Sequence, residues 1–263
     1  GRLSHINVGS WNDVGIDPIM TKKTKESLID WCYAAVTFQA LKGKRVVVFG
    51  HDSMGMETAL PHVSATRNQF GIEITRLDMK LLSDMLTKKS YDERELLKLK
   101  KWIKSDCLKI ELPEETDEDN LDKSLALYLI VRDMMKELNA VGGGFMSQLE
   151  WGSDSRGIPL PVADIMESLF NSTFDHNGPK EVIPYATEAD VQALLTQLFM
   201  TWLSGGNPPL FMDFRKVWEP NEIKEFAKQN RVKLSGKSIW EKKGFVDGVN
   251  SGSASFDWAA LPG

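Results

Sequence analysis

Short β-branched runs alternate with long amphipathic stretches along most of the chain, and this alternation restricts the fold more than any other feature. Residues 45–50 read RVVVFG, a β-branched run ending in glycine that is typical of a buried parallel strand. Residues 91–110 and 120–139 carry apolar side chains at helical spacing. Strands separated by helices of this length imply parallel strands with right-handed crossovers. The sequence therefore predicts an α/β fold, with a doubly wound, mostly parallel sheet flanked by helices.

The predicted secondary structure changes near residue 204, and this change divides the chain. Before it, further strands are predicted at 72–79, 140–145 and 181–186. After it, glycine and proline interrupt the helical pattern, and strands with little helix are predicted at 210–215, 245–250 and 253–258. We therefore assign residues 1–204 to a central α/β domain. Residues 205–263 are interpreted as the start of a β-rich second domain, truncated after a few strands.

Composition excludes several classes of protein. A hydrophobic content of 42%, a charged content of 26% and a net charge of −5 are typical of a globular protein and argue against a nucleic-acid partner. No apolar run approaches the roughly 20 residues that cross a bilayer, and the first residues lack the pattern of a secretory signal. We expect no membrane partner, a cytoplasmic location, and reduced thiols at Cys32 and Cys107.

Two carboxylates are candidates for a metal or acid/base site. Glu188 follows the predicted strand 181–186 and precedes an amphipathic helix, where capping by Glu188 or by Asp190 is the commoner role. Asp213 ends an apolar run in which an uncompensated acid would be costly. Arg215 follows two residues later, on the same strand face, and could form a structural ion pair with Asp213. From the residues alone, capping is favoured for Glu188, and the metal site and the ion pair stay equally open for Asp213.

Several sequence blocks together resemble a known family of sugar isomerases. They read ATEAD at 186–190, MDFR at 212–215, NSTFDHNG at 171–178, GFMSQ at 144–148 and VNSGSA at 249–254. These blocks are similar to blocks of the L-fucose isomerase family. The resemblance implies an aldose–ketose isomerase that converts L-fucose to L-fuculose by metal-assisted proton transfer through an ene-diol. It also implies Mn²⁺ as cofactor, with Mg²⁺ as an alternative, and a hexameric or trimer-based homo-oligomer.

The resemblance assigns roles to particular residues. Glu188 and Asp213 occupy the positions of two manganese ligands, and they would also act as the catalytic acid/base pair. Contacts to the sugar substrate are implied for Gln148, Trp151, Asn250 and Ser251.

The chain also departs from the family pattern. Met146 replaces a glutamine, and His176 replaces a tryptophan, either as a packing residue, which we favour, or as a titratable group. The family's third metal ligand, a histidine, has no counterpart among the histidines of this chain. We therefore expect the central part of such an enzyme, inactive on its own. A non-catalytic carbohydrate-binding or assembly module on the same scaffold stays open as an alternative.

Overall fold

The computed structural model describes residues 10–11, 18–19, 21–50, 56–106, 110, 112, 117–146, 163–249 and 255–259. The strands in chain order are β1 (Ser10–Trp11), β2 (Pro18–Ile19), β3 (Arg45–Phe49), β4 (Glu73–Leu77), β5 (Ala140–Phe145), β6 (Phe174–Asp175), β7 (Gly178–Pro179), β8 (Tyr185–Ala186), β9 (Asp213–Trp218) and β10 (Phe245–Val249). The α-helices are α1 (Lys22–Leu41), α2 (Val63–Phe70), α3 (Met79–Thr87), α4 (Glu93–Asp106), α5 (Glu118–Glu137), α6 (Asp164–Phe170), α7 (Val191–Leu203), α8 (Pro220–Gln229) and α9 (Ile239–Lys243). Short 3₁₀ helices occur at Glu57–Ala59, Thr187–Ala189 and Phe256–Ala259.

A parallel four-stranded sheet forms the centre, in the order β4-β3-β5-β8. The chain moves outward from β3 to β4, then returns across β3 to β5 and continues to β8. The order of the strands thus reverses between β3 and β5, the place where open α/β sheets form a binding crevice at their carboxyl edge. This arrangement confirms the predicted doubly wound α/β fold.

Helices cover both faces of this sheet. On one face, Leu41 of α1 and Leu194 and Leu198 of α7 pack with Val46 of β3. On the other face, α3 to α6 enclose the larger core around Phe49, which includes many buried apolar side chains from all four helices. Val46, Val47, Val48 and Phe49 are at most 1% exposed, because a strand covered on both faces buries every side chain.

The segment after α7 forms a separate antiparallel pair. β9 pairs with β10, and α8 and α9 lie along the same stretch of chain. This pair fits the predicted start of a β-rich domain, but α8 and α9 are helices where little helix was predicted, and individual strands differ. The run 210–212 is not a strand, and β9 begins at Asp213. Residues 256–259 form a 3₁₀ helix where a strand was predicted, and of the predicted strand 181–186 only Tyr185–Ala186 pairs.

The described residues include no helix with both the length and the apolar character needed to span a membrane.

Candidate functional site

Glu188 lies in a strained turn directly after β8. The turn Thr187–Ala189 places Glu188 at φ 57° and Ala189 at φ 53°, in the left-handed region that side-chain-bearing residues rarely adopt. Each such residue costs about 1–3 kcal/mol and persists only where the surroundings hold it. The cap of α7 is Asp190, whose Oδ1 accepts from the Ala193 N–H at 2.8 Å. The prediction that favoured Glu188 as a helix cap is therefore wrong, and its conformation calls for another explanation.

Gly144 allows this turn to approach the sheet. A Cβ atom at Gly144 would lie 3.0 Å from the Ala186 carbonyl oxygen and 3.0 Å from the Ala189 Cα. Gly144 pairs with Ala186 in the β5–β8 ladder. Because Gly144 of β5 has no Cβ, the Glu188 turn can pack closely against the carboxyl edge of the sheet.

Asp213 opens β9 and pairs in register with Val249, the last residue of β10. Its side chain is 48% exposed, and its Oδ2 accepts from Arg215 Nη2 at 2.9 Å. The predicted ion pair with Arg215 is therefore present. The prediction of a carboxylate at the end of an apolar strand is wrong for Asp213, because the strand begins there.

The charges of the two carboxylates interact across the space between β8 and β9. Partial burial is the largest cause that raises the pKa of Glu188, followed by the negative charge of Asp213 and then that of Asp190. Glu188 itself is half-buried. The charge of Asp213 thus contributes to the electrostatic environment of Glu188, although the 24 positions between them include the whole of α7.

The residues predicted to contact the sugar, Gln148, Trp151, Asn250 and Ser251, lie outside the described residues. Their neighbour Met146, the departure from the family pattern, is 8% exposed. It covers Gly50, where an added Cβ would lie 2.4 Å from the Met146 Cβ. Met146 therefore occupies the point between β3 and β5 where the strand order reverses.

The block NSTFDHNG joins two distant parts of the chain. The Asn171 side chain exchanges two hydrogen bonds with the Tyr185 backbone, each at 2.8 Å. Asp257 accepts from the Thr173 N–H at 2.8 Å and from the Thr173 hydroxyl. The Phe256 N–H donates to Ser172 Oγ at 2.8 Å. The block thus anchors both the strand that leads to Glu188 and the segment that follows residues 250–254.

Sequence reasoning missed Asp257, which lies 84 positions from Thr173. The available signal was local: Ser255 and Asp257, two residues apart, form a common turn in which the Ser255 hydroxyl accepts from the Asp257 N–H at 3.1 Å. That signal predicts a turn, but it gives no information on the partner across the fold.

His176 belongs to a buried polar network. Its side chain is fully buried, and Nε2 lies 3.1 Å from Glu95 Oε1. Arg132 binds Glu95 through both terminal nitrogens, at 2.5 and 2.9 Å. The Arg132 guanidinium, with Asn177 and His176, lowers the pKa of Glu95 to about 2 despite partial burial. The burial of His176 supports the packing role that the sequence favoured.

The donor atoms at the candidate site suit a hard divalent cation. Carboxylate oxygens are preferred by Mn²⁺ and Mg²⁺ over softer metals. Across the described part of the chain, no group of three or more histidine, cysteine, aspartate or glutamate side chains is arranged to hold a metal. The described residues thus offer two candidate ligands, Glu188 and Asp213.

Comparison with known proteins identifies the family. A family model described as "L-fucose isomerase, second N-terminal domain" matches residues 44–205. The chain belongs to the L-fucose isomerase family. The matched segment runs from the residue before β3 to just beyond α7, and it therefore includes the whole parallel sheet and the Glu188 turn.

Individual relatives of the L-fucose isomerase family extend the match. The L-fucose isomerase of Clostridium perfringens (strain 13 / Type A) is 26% identical over 273 residues, which cover 93% of this chain and 44% of the relative. That of Salmonella choleraesuis (strain SC-B67) is 28% identical over 266 residues, covering 92% of this chain and 43% of the relative. The chain thus spans less than half the length of the curated relatives it matches.

Proposed function

We propose that this chain supplies the metal-binding carboxylates of an aldose–ketose isomerase that converts L-fucose to L-fuculose. The observation that carries the proposal is the strained turn that holds Glu188 directly after β8, at the carboxyl edge of the sheet, where the charge of Asp213 contributes to raising its pKa. Membership of the L-fucose isomerase family supports the reaction class. Because the chain covers less than half of each relative, activity, substrate and assembly are proposed for the protein in which these residues act.

The two carboxylates fit a Mn²⁺ ion, with Mg²⁺ as an alternative. Like charges repel, so Asp213 contributes to raising the pKa of Glu188, and a bound cation would relieve this repulsion. Arg215 provides the positive charge beside Asp213, and its side chain is 55% exposed to water. When bound, the metal would polarise the carbonyl and hydroxyl oxygens of the open-chain sugar.

Glu188 is suited to the proton transfer itself. In aldose–ketose isomerisation one proton leaves C2 and one arrives at C1, while the hydroxyl proton on O2 moves to O1. Without a bound cation, partial burial and the charges of Asp213 and Asp190 raise the pKa of Glu188, so it accepts a proton more readily than an ordinary glutamate. We assign this role to Glu188, with Asp213 as its partner in the acid/base pair.

We also propose a substrate and an assembly for the working protein. The substrate is an open-chain aldose, L-fucose or the configurationally related D-arabinose, and the working protein is a cytoplasmic homo-oligomer, hexameric or trimer-based. Two protein ligands leave a divalent ion exposed to exchange with water. We therefore expect this polypeptide alone to produce ketose far more slowly than a complete enzyme.

One observation favours the alternative of a non-catalytic carbohydrate-binding or assembly module. Arg215 already satisfies Asp213 at 2.9 Å, which gives this carboxylate a structural role without a metal. In that case the loss of Asp213 would affect the β9–β10 pair and leave metal binding unchanged.

A metal titration separates the two candidates. Mn²⁺ binding to the purified chain is measured by calorimetry and electron paramagnetic resonance for the parent protein, E188Q, D213N and the control E225Q, whose exposed carboxylate lies on α8. We expect binding in the parent and in E225Q, and at least tenfold weaker binding in E188Q and D213N. Equal Mn²⁺ affinity in all four proteins would favour the non-catalytic module. So would an affinity for sugar that is the same with and without Mn²⁺ and the same in E188Q as in the parent.

A further inference from the structure

Two buried polar side chains lie one turn apart at the end of α6: Glu167 within the helix and Asn171 at its C-terminal cap. Glu167 and Asn171 are each 2% exposed, which is unusual for charged and amide side chains. They contact alternate residues of the segment that leads to Glu188, namely Tyr185 and Thr187. Four residues of helix rise about 6 Å and two residues of strand about 6.6 Å, so the two polar side chains are spaced like the two residues that they contact. The helix thus binds this segment at two points.

The first contact completes the open edge of β8. In a parallel ladder, successive residues of a strand bond to opposite neighbours. The Gly143 N–H donates to the Pro184 carbonyl at 3.0 Å, so the N–H and carbonyl of Tyr185 point away from β5. The Asn171 side chain binds both groups, accepting from one and donating to the other at 2.8 Å. A carboxamide therefore takes the place of a further strand.

The second contact lies next to the strained residue. The Thr187 hydroxyl donates to Glu167 Oε2 at 3.2 Å, and both side chains are 2% exposed. Glu188 follows immediately in the left-handed conformation. A backbone of this kind relaxes unless the residues around it are fixed. Fixing both Tyr185 and Thr187 leaves Glu188 with little freedom to return to an ordinary conformation.

We infer that Glu167 and Asn171 are positioning residues that hold Glu188 in the left-handed turn directly after β8. They act through Thr187 and Tyr185, and neither is assigned contact with a ligand. The inference rests on the proposed function for its value to metal binding, but its conformational part can be measured without a metal.

The test compares variants that remove or keep the key groups. T187V removes the hydroxyl while filling a similar volume, and T187S keeps the hydroxyl. Crystal structures report φ at residue 188, and calorimetry reports Mn²⁺ affinity. We expect T187V to lose the positive φ and to bind Mn²⁺ about tenfold more weakly. T187S is expected to match the parent in both measurements.

A control separates positioning from a general loss of stability. Y128F removes a buried hydrogen bond of 2.9 Å to Asp175 on the same face of the sheet, so it should cost similar stability. Its φ at residue 188 and its Mn²⁺ affinity should equal those of the parent. If T187V does not fold, N171D takes its place, because it keeps an acceptor for the Tyr185 N–H and replaces the donor with a carboxylate oxygen that repels the Tyr185 carbonyl.

Each outcome decides one of the two proposals. A positive φ and unchanged affinity in T187V and N171D would overturn the positioning role while the proposed function stands. Affinity reduced equally in Y128F and T187V would also overturn it. If the parent protein binds no Mn²⁺, the proposed function fails. Loss of the positive φ in T187V, with its retention in T187S, would then still support the positioning role.

Discussion

The two carboxylates of the candidate site come from regions that are built very differently. Glu188 follows a strand of the parallel sheet, where Gly142 to Phe145 of the neighbouring β5 are all buried. Asp213 opens β9, which is exposed along nearly its whole length. One half of the site is therefore fixed by a dense core, and the other by a few directed contacts. The comparison indicates that the geometry of the site depends most on what holds the second region in place.

Aromatic side chains hold that second region together. Trp218 of β9 stacks on Phe245 of β10 at 6.1 Å and meets Phe226 of α8 at 5.6 Å, and Phe245 also meets Trp240 of α9. These side chains surround a cavity of about 360 Å³. Two-stranded sheets are marginally stable alone, so the loosely packed cluster supplies much of what keeps β9 and β10 paired.

A glycine-to-alanine substitution in each region should show the largest difference between them, measured as the loss in the free energy of unfolding. In G143A the new Cβ would lie 2.6 Å from the Tyr185 ring and 2.9 Å from the Val47 carbonyl oxygen, neither of which can move freely. In G248A it would meet the flexible Met212 side chain, which is 43% exposed. We expect G143A to lower the free energy of unfolding by about 3 kcal/mol, and G248A by less than about 0.5 kcal/mol. Thermal and urea unfolding measure both, and equal losses would show that the regions are packed alike.

Acid should weaken the first region through Glu95. Its folded pKa of about 2 lies below the ordinary value of 4.5, so its contribution is present above about pH 5 and is lost as the pH falls toward 2. The Glu95 and Arg132 side chains are each 24% exposed, so we expect this loss to be about 2 kcal/mol. Urea unfolding between pH 7 and pH 3 should show a smaller acid-induced loss for E95Q than for the parent.

The corresponding pair in the second region provides the control. The side chains of Asp213 and Arg215 are about half-exposed, and such pairs contribute at most about 1 kcal/mol. The acid-induced loss of stability in D213N should therefore resemble that of the parent. A loss reduced as much as in E95Q would contradict the contrast between the two regions.

Removing Asp257 should loosen the attachment between the regions. D257A deletes the acceptor of the Thr173 N–H and hydroxyl, at a cost of about 1–2 kcal/mol. Hydrogen exchange should accelerate at the Thr173 and Phe256 amides and stay slow at Val47 in the core. D247N, which changes only the acceptor of the Trp218 indole within the second region, should leave Thr173 unchanged. Faster exchange at Thr173 in D247N would mean that the attachment is not local to Asp257.

The smallest expected effect is a change in the pKa of Glu188, which tests whether the charge of Asp213 in the second region acts on Glu188 in the first. D213N should lower the pKa of Glu188, because it removes a neighbouring negative charge. D190N should lower it too, but by less, since Asp190 is the smaller contributor. Side-chain carbon shifts followed against pH measure both changes. An unchanged Glu188 titration in D213N would show that the two carboxylates do not sense each other.

The fold was predictable where local pattern and burial agree. Residues 45–50 were read as a buried strand and form β3, because a β-branched run covered on both faces has no other stable arrangement. The prediction was too long at 181–186, since Pro184 has no N–H and the ladder starts at Tyr185. The run 210–212 looked like a buried strand, yet Leu210 and Met212 are 56% and 43% exposed.

The sequence proposes which residues form the candidate site, but it does not give their geometry. Glu188 and Asp213 were identified from their place relative to strands and from the resemblance. The left-handed turn at Glu188 was not, because nothing in a glutamate favours that conformation locally. The two-point contact from α6 and the bond between Thr173 and Asp257 depend on tertiary structure, which a single sequence does not encode in any short pattern.

The long separation between Thr173 and Asp257 has a consequence for the order of folding. These residues are 84 positions apart, and such distant contacts form late because the intervening chain must first be ordered. During synthesis, α6, β8 and the Glu188 turn leave the ribosome well before Asp257 does, and N-terminal units generally fold first. The strained half of the site is thus assembled early, and the Asp213 half is attached to it later.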